Sequence, residues 1–207
     1  MALNIDQTTI GITGGIGSGK SVVSRILRCN GFVVFDCDYE AKKIMIQNPE
    51  VKKKLTSAFG IDVYLPSGEI DRQRMAQLIF NNSSKREIVN SIVHEAVKKE
   101  ILNLRKITRS EFFIESAILA SSGIESYCNK IWIVTTSEKE RIQRVIKRDG
   151  LTEKEVLKRI ESQKKELTFL PKCKITYFEN DDEHPMLIKV LQQTDKFYLQ
   201  TSYLLSC

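Results

Sequence analysis

The 207-residue sequence predicts an α/β protein with a five-stranded parallel sheet. Short apolar runs rich in β-forming residues alternate with segments whose apolar residues recur at helical spacing. A glycine-rich turn joins the first run to the first helical segment, and a long stretch with helical patterns only follows the second run. Strands that alternate with helices are typical of parallel sheets covered on both faces. The chain length fits one such domain with an inserted subdomain.

The predicted strands are apolar runs bounded by turn residues or charges, as expected for strands buried on both faces. They cover residues 9–13, 32–35, 112–114, 131–134 and 175–178. Residues 39–107 contain only helical patterns, separated by turn signals such as Asn48-Pro49 and Phe59-Gly60. We predict that 39–107 is a helical insertion and that 1–38 with 108–207 form the core around the sheet. The insertion leaves the carboxyl edge of the second strand, where doubly wound sheets bind ligands.

Composition and charge restrict the class of protein. The formal charge of +6 favours anionic partners, but the lysines are spread along the chain and no basic tail with interleaved aromatic residues occurs. The five cysteines have no Cys-x-x-Cys spacing, which argues against a disulfide framework or a zinc site. No run of about 18 apolar residues and no signal-peptide pattern occurs. We expect a cytoplasmic monomer that acts on a small molecule and binds neither nucleic acid nor membrane.

The glycine-rich turn has the pattern of a phosphate-binding loop. It reads IGITGGIGSGKS, with five glycines between Gly11 and Gly19. In this pattern backbone N–H groups wrap a phosphate, the lysine reaches the terminal phosphates and the hydroxyl ligates Mg²⁺. The following helix points its partly positive N-terminus at the same anion. We therefore assign nucleotide binding to Gly14, Gly15, Ile16, Gly17, Ser18, Gly19, Lys20, Ser21 and Val22.

A phosphate loop predicts ATP or GTP with Mg²⁺ but leaves the reaction open. A signalling GTPase needs Asn-Lys-x-Asp, yet Asn129-Lys130 is followed by Ile131-Trp132, and no aspartate has a glycine three residues later. No transporter signature occurs either. A small-molecule kinase needs a carboxylate beside the acceptor hydroxyl and cations that balance charge in the transition state. The remaining residues fit this third class best.

Two aspartates follow the second predicted strand. Asp36 and Asp38 lie two residues apart, so their side chains share one side in extended geometry. We expect the first two strands to be neighbours that deliver this turn and the phosphate loop to the same sheet edge. We predict Asp38 as the catalytic base and Asp36 as a Mg²⁺ or loop partner. The reverse assignment, and a helix-capping role for either aspartate, stay open.

Three arginines lie on one face of the helix after the fourth strand. Arg141, Arg144 and Arg148 recur at i, i+3 and i+7. With the next helical segment they predict a lid over residues 138–166 that closes over the triphosphate and excludes water. We assign Arg144 to catalysis together with Lys20, and Arg144 and Arg148 to nucleotide binding. A solvated charged face is the alternative.

In these motifs, taken together, the sequence resembles the dephospho-coenzyme A kinase family. The resemblance rests on the glycine-rich opening, Asp36-Cys37-Asp38, Ile70-Asp71-Arg72 and the stretch from Asn90 to His94. It continues through Arg144, Arg148-Asp149-Gly150-Leu151 and Arg159 with Gln163. The combination is specific, whereas the opening alone occurs in many phosphate-loop proteins.

The resemblance implies a P-loop NTPase core like that of adenylate kinase, with a helical domain for the acceptor and a helical lid. It implies transfer of the ATP γ-phosphate to the ribose 3′-hydroxyl of dephospho-coenzyme A, the final step of coenzyme A synthesis. Asp38 then matches the base, and Lys20 and Ser21 match the phosphate and Mg²⁺ contacts. Arg72 and His94 belong to the acceptor site, to which we also assign Asp38 and Lys42.

The sequence departs from the family pattern at a few positions. Lys42 stands in place of a usual arginine, Glu95 of a proline and Arg141 of a glutamine. Glu115 to Leu119 also differ from the usual segment after the third strand. Two alternatives remain: another nucleoside or nucleotide kinase with the same core, and a nucleotide-binding regulatory or nucleic-acid-binding module without catalysis. For His94, a structural hydrogen bond is the alternative to substrate binding.

Overall fold

The computed structural model describes residues 8–80, 82–164, 166, 174–180 and 185–204. The described residues form two compact units. The first holds the described residues up to Phe35 and from Thr108 onward, and the second is Asp36–Ile107. Residues 1–7, 167–173, 181–184 and 205–207 of the predicted core, residue 81 of the predicted insertion and residue 165 of the predicted lid lie outside the described residues.

The first unit contains the sheet, except for Asp36, the last residue of the second strand. Its strands are β1 (Thr9–Thr13), β2 (Val33–Asp36), β3 (Phe112–Glu115), β4 (Lys130–Thr135) and β5 (Lys174–Glu179), in the order β2-β3-β1-β4-β5. The helices are α1 (Lys20–Cys29), α6 (Glu138–Asp149), α7 (Glu153–Gln163) and α8 (Met186–Leu204), with a 3-10 turn at Glu125–Tyr127. The predicted α/β class and five-stranded parallel sheet are confirmed.

The expectation that β1 and β2 are neighbours is wrong. β1 pairs in parallel with β3 on one side, from Thr9 opposite Phe112 to Ile12 opposite Glu115, and with β4 on the other. β3 therefore lies between β1 and β2. Both edges of β1 are occupied by strands that follow about a hundred residues later, and apolar patterning within a strand carries no information about such partners.

Four aromatic side chains form a series of ring contacts in the core of this unit. Phe113 lies between Phe32 and Trp132, with ring centroids 5.3 Å apart in both pairs, and Trp132 contacts Phe178 at 4.7 Å. These four side chains are almost fully buried. Around them lie apolar residues of β1, β4, α1 and α8: Ile10, Ile12, Val134, Val23, Leu27, Met186 and Val190. This core fixes the strand ends that carry the glycine-rich loop.

The second unit is helical. It contains α2 (Cys37–Gln47), α3 (Pro49–Phe59), α4 (Arg72–Ile79), α5 (Ser83–Ile107) and a 3-10 turn at Ile61–Val63. Its one strand-like feature among the described residues is an isolated bridge between Tyr64 and Ile70. The buried faces of α3 and α5 supply its core with Val51, Leu55, Val93, Val97 and Ile101. Whether this unit binds the acceptor stays a prediction.

Candidate functional site

The glycine-rich loop connects the end of β1 to the start of α1 and crosses the end of β4. Gly14 has φ of +150°, and a Cβ there would overlap the Val134 carbonyl oxygen and lie 2.8 Å from Ser18 Oγ. A side chain at this position is therefore excluded by both backbone conformation and space. The Ser18 N–H donates to the Gly15 carbonyl at 3.1 Å and closes a turn within the loop. The loop is therefore tightly turned and packs directly against the end of β4.

Gly19 is the N-cap residue of α1 and adopts the left-handed conformation, with φ of 102°. A Cβ at Gly19 would overlap Asn180 Nδ2, which donates a hydrogen bond to the Ser18 carbonyl at 2.8 Å. Asn180 directly follows β5, and its own N–H donates to Thr135 O at 2.8 Å. Asn180 therefore joins the phosphate loop to the ends of β4 and β5. No motif in the sequence identified Asn180 as a site residue.

Lys20 folds back over the loop that precedes it. Its Nζ donates to Gly14 O at 2.7 Å and to Gly15 O at 3.3 Å. Ser21 and Val22 lie in the first turn of α1 with exposed side chains. Since α1 has no acidic residue in its first turn, the partial positive charge of its N-terminus is not neutralised from within the helix. This arrangement suits a bound polyphosphate.

The arginines of α6 have different partners. Arg144 Nη2 donates to Asn180 O at 3.3 Å and lies 3.7 Å from Glu140. Arg141 Nε donates to the Ile16 carbonyl in the loop at 2.9 Å. Arg148 instead forms a two-point ion pair with Asp149, at 2.7 and 2.9 Å. The structure therefore brings Arg141 and Arg144 to the loop and its support, while the part of Arg148 in nucleotide binding stays a prediction.

The two helices of the predicted lid share a small core. Val145, Val156 and Ile160 are buried there, and Ile16 of the phosphate loop packs against them with Ile142 and Leu151. Thr152 begins α7 with a capping box that includes Glu155. The Ile16 N–H donates to Gln163 Oε1 at 2.7 Å. The loop thus contacts both helices, and closure of these helices over a nucleotide stays a prediction.

In the second unit, Asp36 caps α2. Its Oδ1 accepts a hydrogen bond from the Tyr39 N–H at 3.0 Å, which is the capping role that the sequence left open. Asp38 lies in the first turn of α2 with its side chain exposed. Lys42 is exposed one turn later. The catalytic and metal roles of the two aspartates stay predictions.

Two further predicted acceptor residues lie on α4 and α5. Arg72 is the first residue of α4 and is exposed, after Asp71, which caps that helix. His94 is half-buried on α5, where burial and, to a lesser degree, the nearby Lys98 lower its pKa. Glu95, the departure beside it, pairs with Lys54 of α3 at 2.8 Å. This departure therefore has a structural explanation within the helical unit.

Among the described residues, no cluster of three or more His, Cys, Asp or Glu side chains could hold a metal by itself. Mg²⁺ in nucleotide sites is bound by substrate phosphates with one or two protein oxygens, so a hydroxyl such as that of Ser21 fits this chemistry. Within the same residues, no helix has the length and apolar character needed to span a membrane.

Comparison with known proteins identifies a family. A family model described as CoaE, dephospho-CoA kinase, matches residues 8–181. The Dephospho-CoA kinase of Porphyromonas gingivalis is 45% identical over 159 residues, which cover 76% of this chain and 78% of that protein. The Dephospho-CoA kinase of Bacteroides fragilis is 33% identical over 201 residues, covering 95% and 96%. The solved dephospho-CoA kinase from Campylobacter jejuni superposes with a TM-score of 0.65 at 26% identity, covering 91% of this chain and 97% of that one.

Proposed function

This chain belongs to the dephospho-CoA kinase family, and we propose that it transfers the γ-phosphoryl group of ATP to the ribose 3′-hydroxyl of dephospho-CoA. The observation that carries the proposal is the phosphate loop of Gly14 to Ser21, with Lys20 held over it, in a chain that matches this family along most of its length. The products are ADP and coenzyme A.

The loop binds the triphosphate in this proposal. Backbone N–H groups at the start of α1 and the ammonium of Lys20 face the terminal phosphates, and their positions before ATP binds reduce the cost of ordering. Arg144, held between Asn180 O and Glu140, balances charge that develops during transfer. Arg148 contributes to nucleotide binding from the end of α6.

The transfer requires removal of one proton from the acceptor. As the ribose 3′-oxygen forms its bond to the γ-phosphorus, the bond from that phosphorus to the bridging oxygen breaks and ADP leaves. Asp38 accepts the hydroxyl proton, because an ionised carboxylate in hydrogen-bond reach serves as general base. Bound Mg²⁺ neutralises phosphate charge in this class of reaction. Ser21 and Asp36 are the residues that we propose to hold it.

The helical unit supplies the acceptor site in this proposal. Lys42 and Arg72 carry exposed cations that suit the diphosphate of dephospho-CoA, and His94 offers a ring nitrogen from α5. Residues 39–107 form the acceptor-binding domain and residues 138–166 the lid that excludes water. We further propose a cytoplasmic monomer that binds neither nucleic acid nor membrane.

A substrate panel tests the proposal. ADP release is measured with ATP and Mg²⁺ in the presence of dephospho-CoA, adenosine or a nucleoside monophosphate. The proposal predicts saturable turnover with dephospho-CoA and at least about a hundredfold lower kcat/KM with the others. A smaller acceptor would leave polar groups of the acceptor site without hydrogen-bond partners, which lowers the rate. A preference for a nucleoside or its monophosphate would favour another kinase of the same core, and ATP binding without turnover would favour a regulatory module.

A further inference from the structure

Ile16 is the residue at which the phosphate loop is attached to the lid helices. Its N–H donates to Gln163 Oε1 at 2.7 Å, and its carbonyl accepts from Arg141 Nε at 2.9 Å. Its side chain packs against the buried cluster of Val145, Val156 and Ile160. Both backbone hydrogen-bonding groups and the side chain of one loop residue are therefore held by α6 and α7.

Gly15 and Gly17, on the two sides of Ile16, also lie close to Arg141. A Cβ at Gly15 would overlap the Arg141 guanidinium, whose Cζ would lie only 2.5 Å away. A Cβ at Gly17 would lie 2.7 Å from the Arg141 carbonyl. At Gly17, which has φ of +79°, the backbone of α6 therefore approaches the loop so closely that only glycine fits, whereas at Gly15 the neighbouring atoms belong to the end of the Arg141 side chain. Those glycines also make the loop flexible, because each has unusually wide backbone freedom when it is not restrained.

We propose that Arg141 and Gln163 are positioning residues that clamp Ile16 and hold the phosphate loop ready for ATP before the nucleotide arrives. This Ile16 clamp deepens the proposed function. Its role in phosphoryl transfer rests on that function, whereas its effect on nucleotide binding does not. Fixing the backbone of a residue in one conformation is opposed by the loss of conformational entropy. A loop that is already ordered loses less conformational entropy when ATP binds, and it therefore binds ATP more tightly. Because the Ile16 N–H donates to Gln163 of α7, in this proposal it serves the clamp, and the neighbouring N–H groups of the loop bind the phosphate.

The clamp also explains the departure at position 141. The donor nitrogen that would bind the Ile16 carbonyl is Nε in arginine and Nε2 in glutamine. The same number of bonds separates each of these atoms from Cα. Either residue can therefore donate to the Ile16 carbonyl from the same place on α6. What this chain adds is a positive charge beside the loop. Among the described residues, Arg144 and Arg148 pair with Glu140 and Asp149, whereas Arg141 forms no ion pair.

Amide hydrogen exchange of Ile16 in the absence of nucleotide is the direct test, together with the equilibrium Kd for ATP. Gln163→Met removes the acceptor at nearly constant size. Loss of one neutral hydrogen bond should speed exchange of the Ile16 amide and raise the Kd for ATP by about three- to tenfold each. Gln143→Met, the same change at an exposed position of α6, should alter neither quantity. Gln163→Glu retains the acceptor and should keep Ile16 protected.

The arginine is tested with a second matched pair. Arg141→Gln keeps the donor and should keep the Ile16 amide protected to within about twofold, whereas Arg141→Met should lose protection to the same degree as Gln163→Met. Arg141→Gln should also flatten the salt dependence of ATP binding, because it removes a charge beside the loop. Since both residues hold the same loop residue, the double variant Arg141→Met with Gln163→Met should weaken ATP binding less than the product of the single effects.

Unchanged exchange and unchanged Kd in Gln163→Met would overturn the clamp, as would strictly multiplicative effects in the double variant. Equal loss of protection in Gln163→Glu and Gln163→Met would likewise contradict it, because it would show general unfolding of the region. These measurements contain no acceptor. A protein that fails to phosphorylate dephospho-CoA can therefore still confirm the clamp. Failure of the clamp proposal is thus distinguishable from failure of the proposed function.

Discussion

The contact between Gly19 and Asn180 gives a quantitative prediction. Gly19→Ala places a methyl group in a left-handed backbone conformation with φ of 102°, where it overlaps Asn180 Nδ2. The conformation costs a non-glycine residue about 1–2 kcal/mol. Displacing Asn180 also breaks its 2.8 Å hydrogen bond to the Ser18 carbonyl, a loss of about 0.5–1.5 kcal/mol. We expect the free energy of unfolding to fall by about 1.5–3.5 kcal/mol, or Tm by about 3–14 °C.

The chain offers a matched control for the backbone contribution. Gly31 has φ of +83°, and a Cβ there has no neighbour within 4 Å. Gly31→Ala should therefore cost only the conformational energy, about 1–2 kcal/mol. Asn180→Ala removes the obstructing amide, because Asn180 Cβ would lie 3.9 Å from the alanine methyl at position 19, which is ordinary contact. The double variant Gly19→Ala with Asn180→Ala should be more stable than the sum of single effects predicts, by about 0.5–1.5 kcal/mol.

Thermal and urea unfolding of the four variants provide the assay. If Gly19→Ala costs no more than Gly31→Ala, or if the effects of Gly19→Ala and Asn180→Ala simply add, the reasoning about this contact is refuted. Binding of ATP supplies a second readout, because only Gly19 and Asn180 adjoin the loop. Gly31→Ala should leave the Kd for ATP unchanged.

Three further outcomes are expected. Asp38→Asn should leave the Kd for ATP unchanged and lower kcat by a factor of about 10² or more in a steady-state assay, since it removes the base. Full activity of this variant would exclude Asp38 as the catalytic base. Lys20→Met should lower kcat/KM for ATP by about 10² or more through loss of a positioned charge, with Lys139→Met on α6 as control. Burial, then Lys98, lowers the pKa of His94, so the folded chain binds fewer protons than the unfolded chain. Stability should fall as the pH drops from about 6.5 toward the lowered pKa, and His94→Gln should flatten that slope in pH-dependent unfolding.

Local patterns predicted the sheet strands well because each strand has a short apolar run that the sheet buries. Residues 9–13 form β1 as predicted, and every residue of that strand is buried. The other strands lie within about two residues of the predicted runs. Strand order was not predictable in the same way. The position of β3 between β1 and β2 depends on pairing between segments far apart in the chain, which leaves no trace in either segment.

The same distinction holds at the candidate site. The phosphate loop from Gly14 to Ser21 was recognisable in the sequence because its residues are contiguous and the motif has a defined role in phosphate binding. The hydrogen bonds that support the loop were not visible, since Asn180, Gln163 and Arg141 reach it across 162, 147 and 125 positions of sequence. The side-chain amide of Asn180 has no local signature that separates it from a turn residue. Only the packed structure assigns it a contact with Ser18.

The sequence allowed a capping role for Asp36 but could not decide between that role and Mg²⁺ binding. Aspartate before a helix accepts from a backbone N–H three residues later in many proteins, and the Asp36 to Tyr39 bond is of this kind. The same carboxylate carries a second oxygen. The sequence therefore could not choose between the cap and a Mg²⁺ ligand, and we propose that Asp36 serves both uses.

Identification of the reaction product tests the central claim most directly. Purified protein is incubated with ATP, Mg²⁺ and dephospho-CoA, and the product is analysed by mass spectrometry and by ³¹P NMR. We expect a gain of one phosphoryl group that appears as a phosphomonoester on the ribose 3′-oxygen, formed together with an equal amount of ADP. Phosphorylation at any other position, or consumption of ATP with dephospho-CoA left unmodified, would contradict the proposed function.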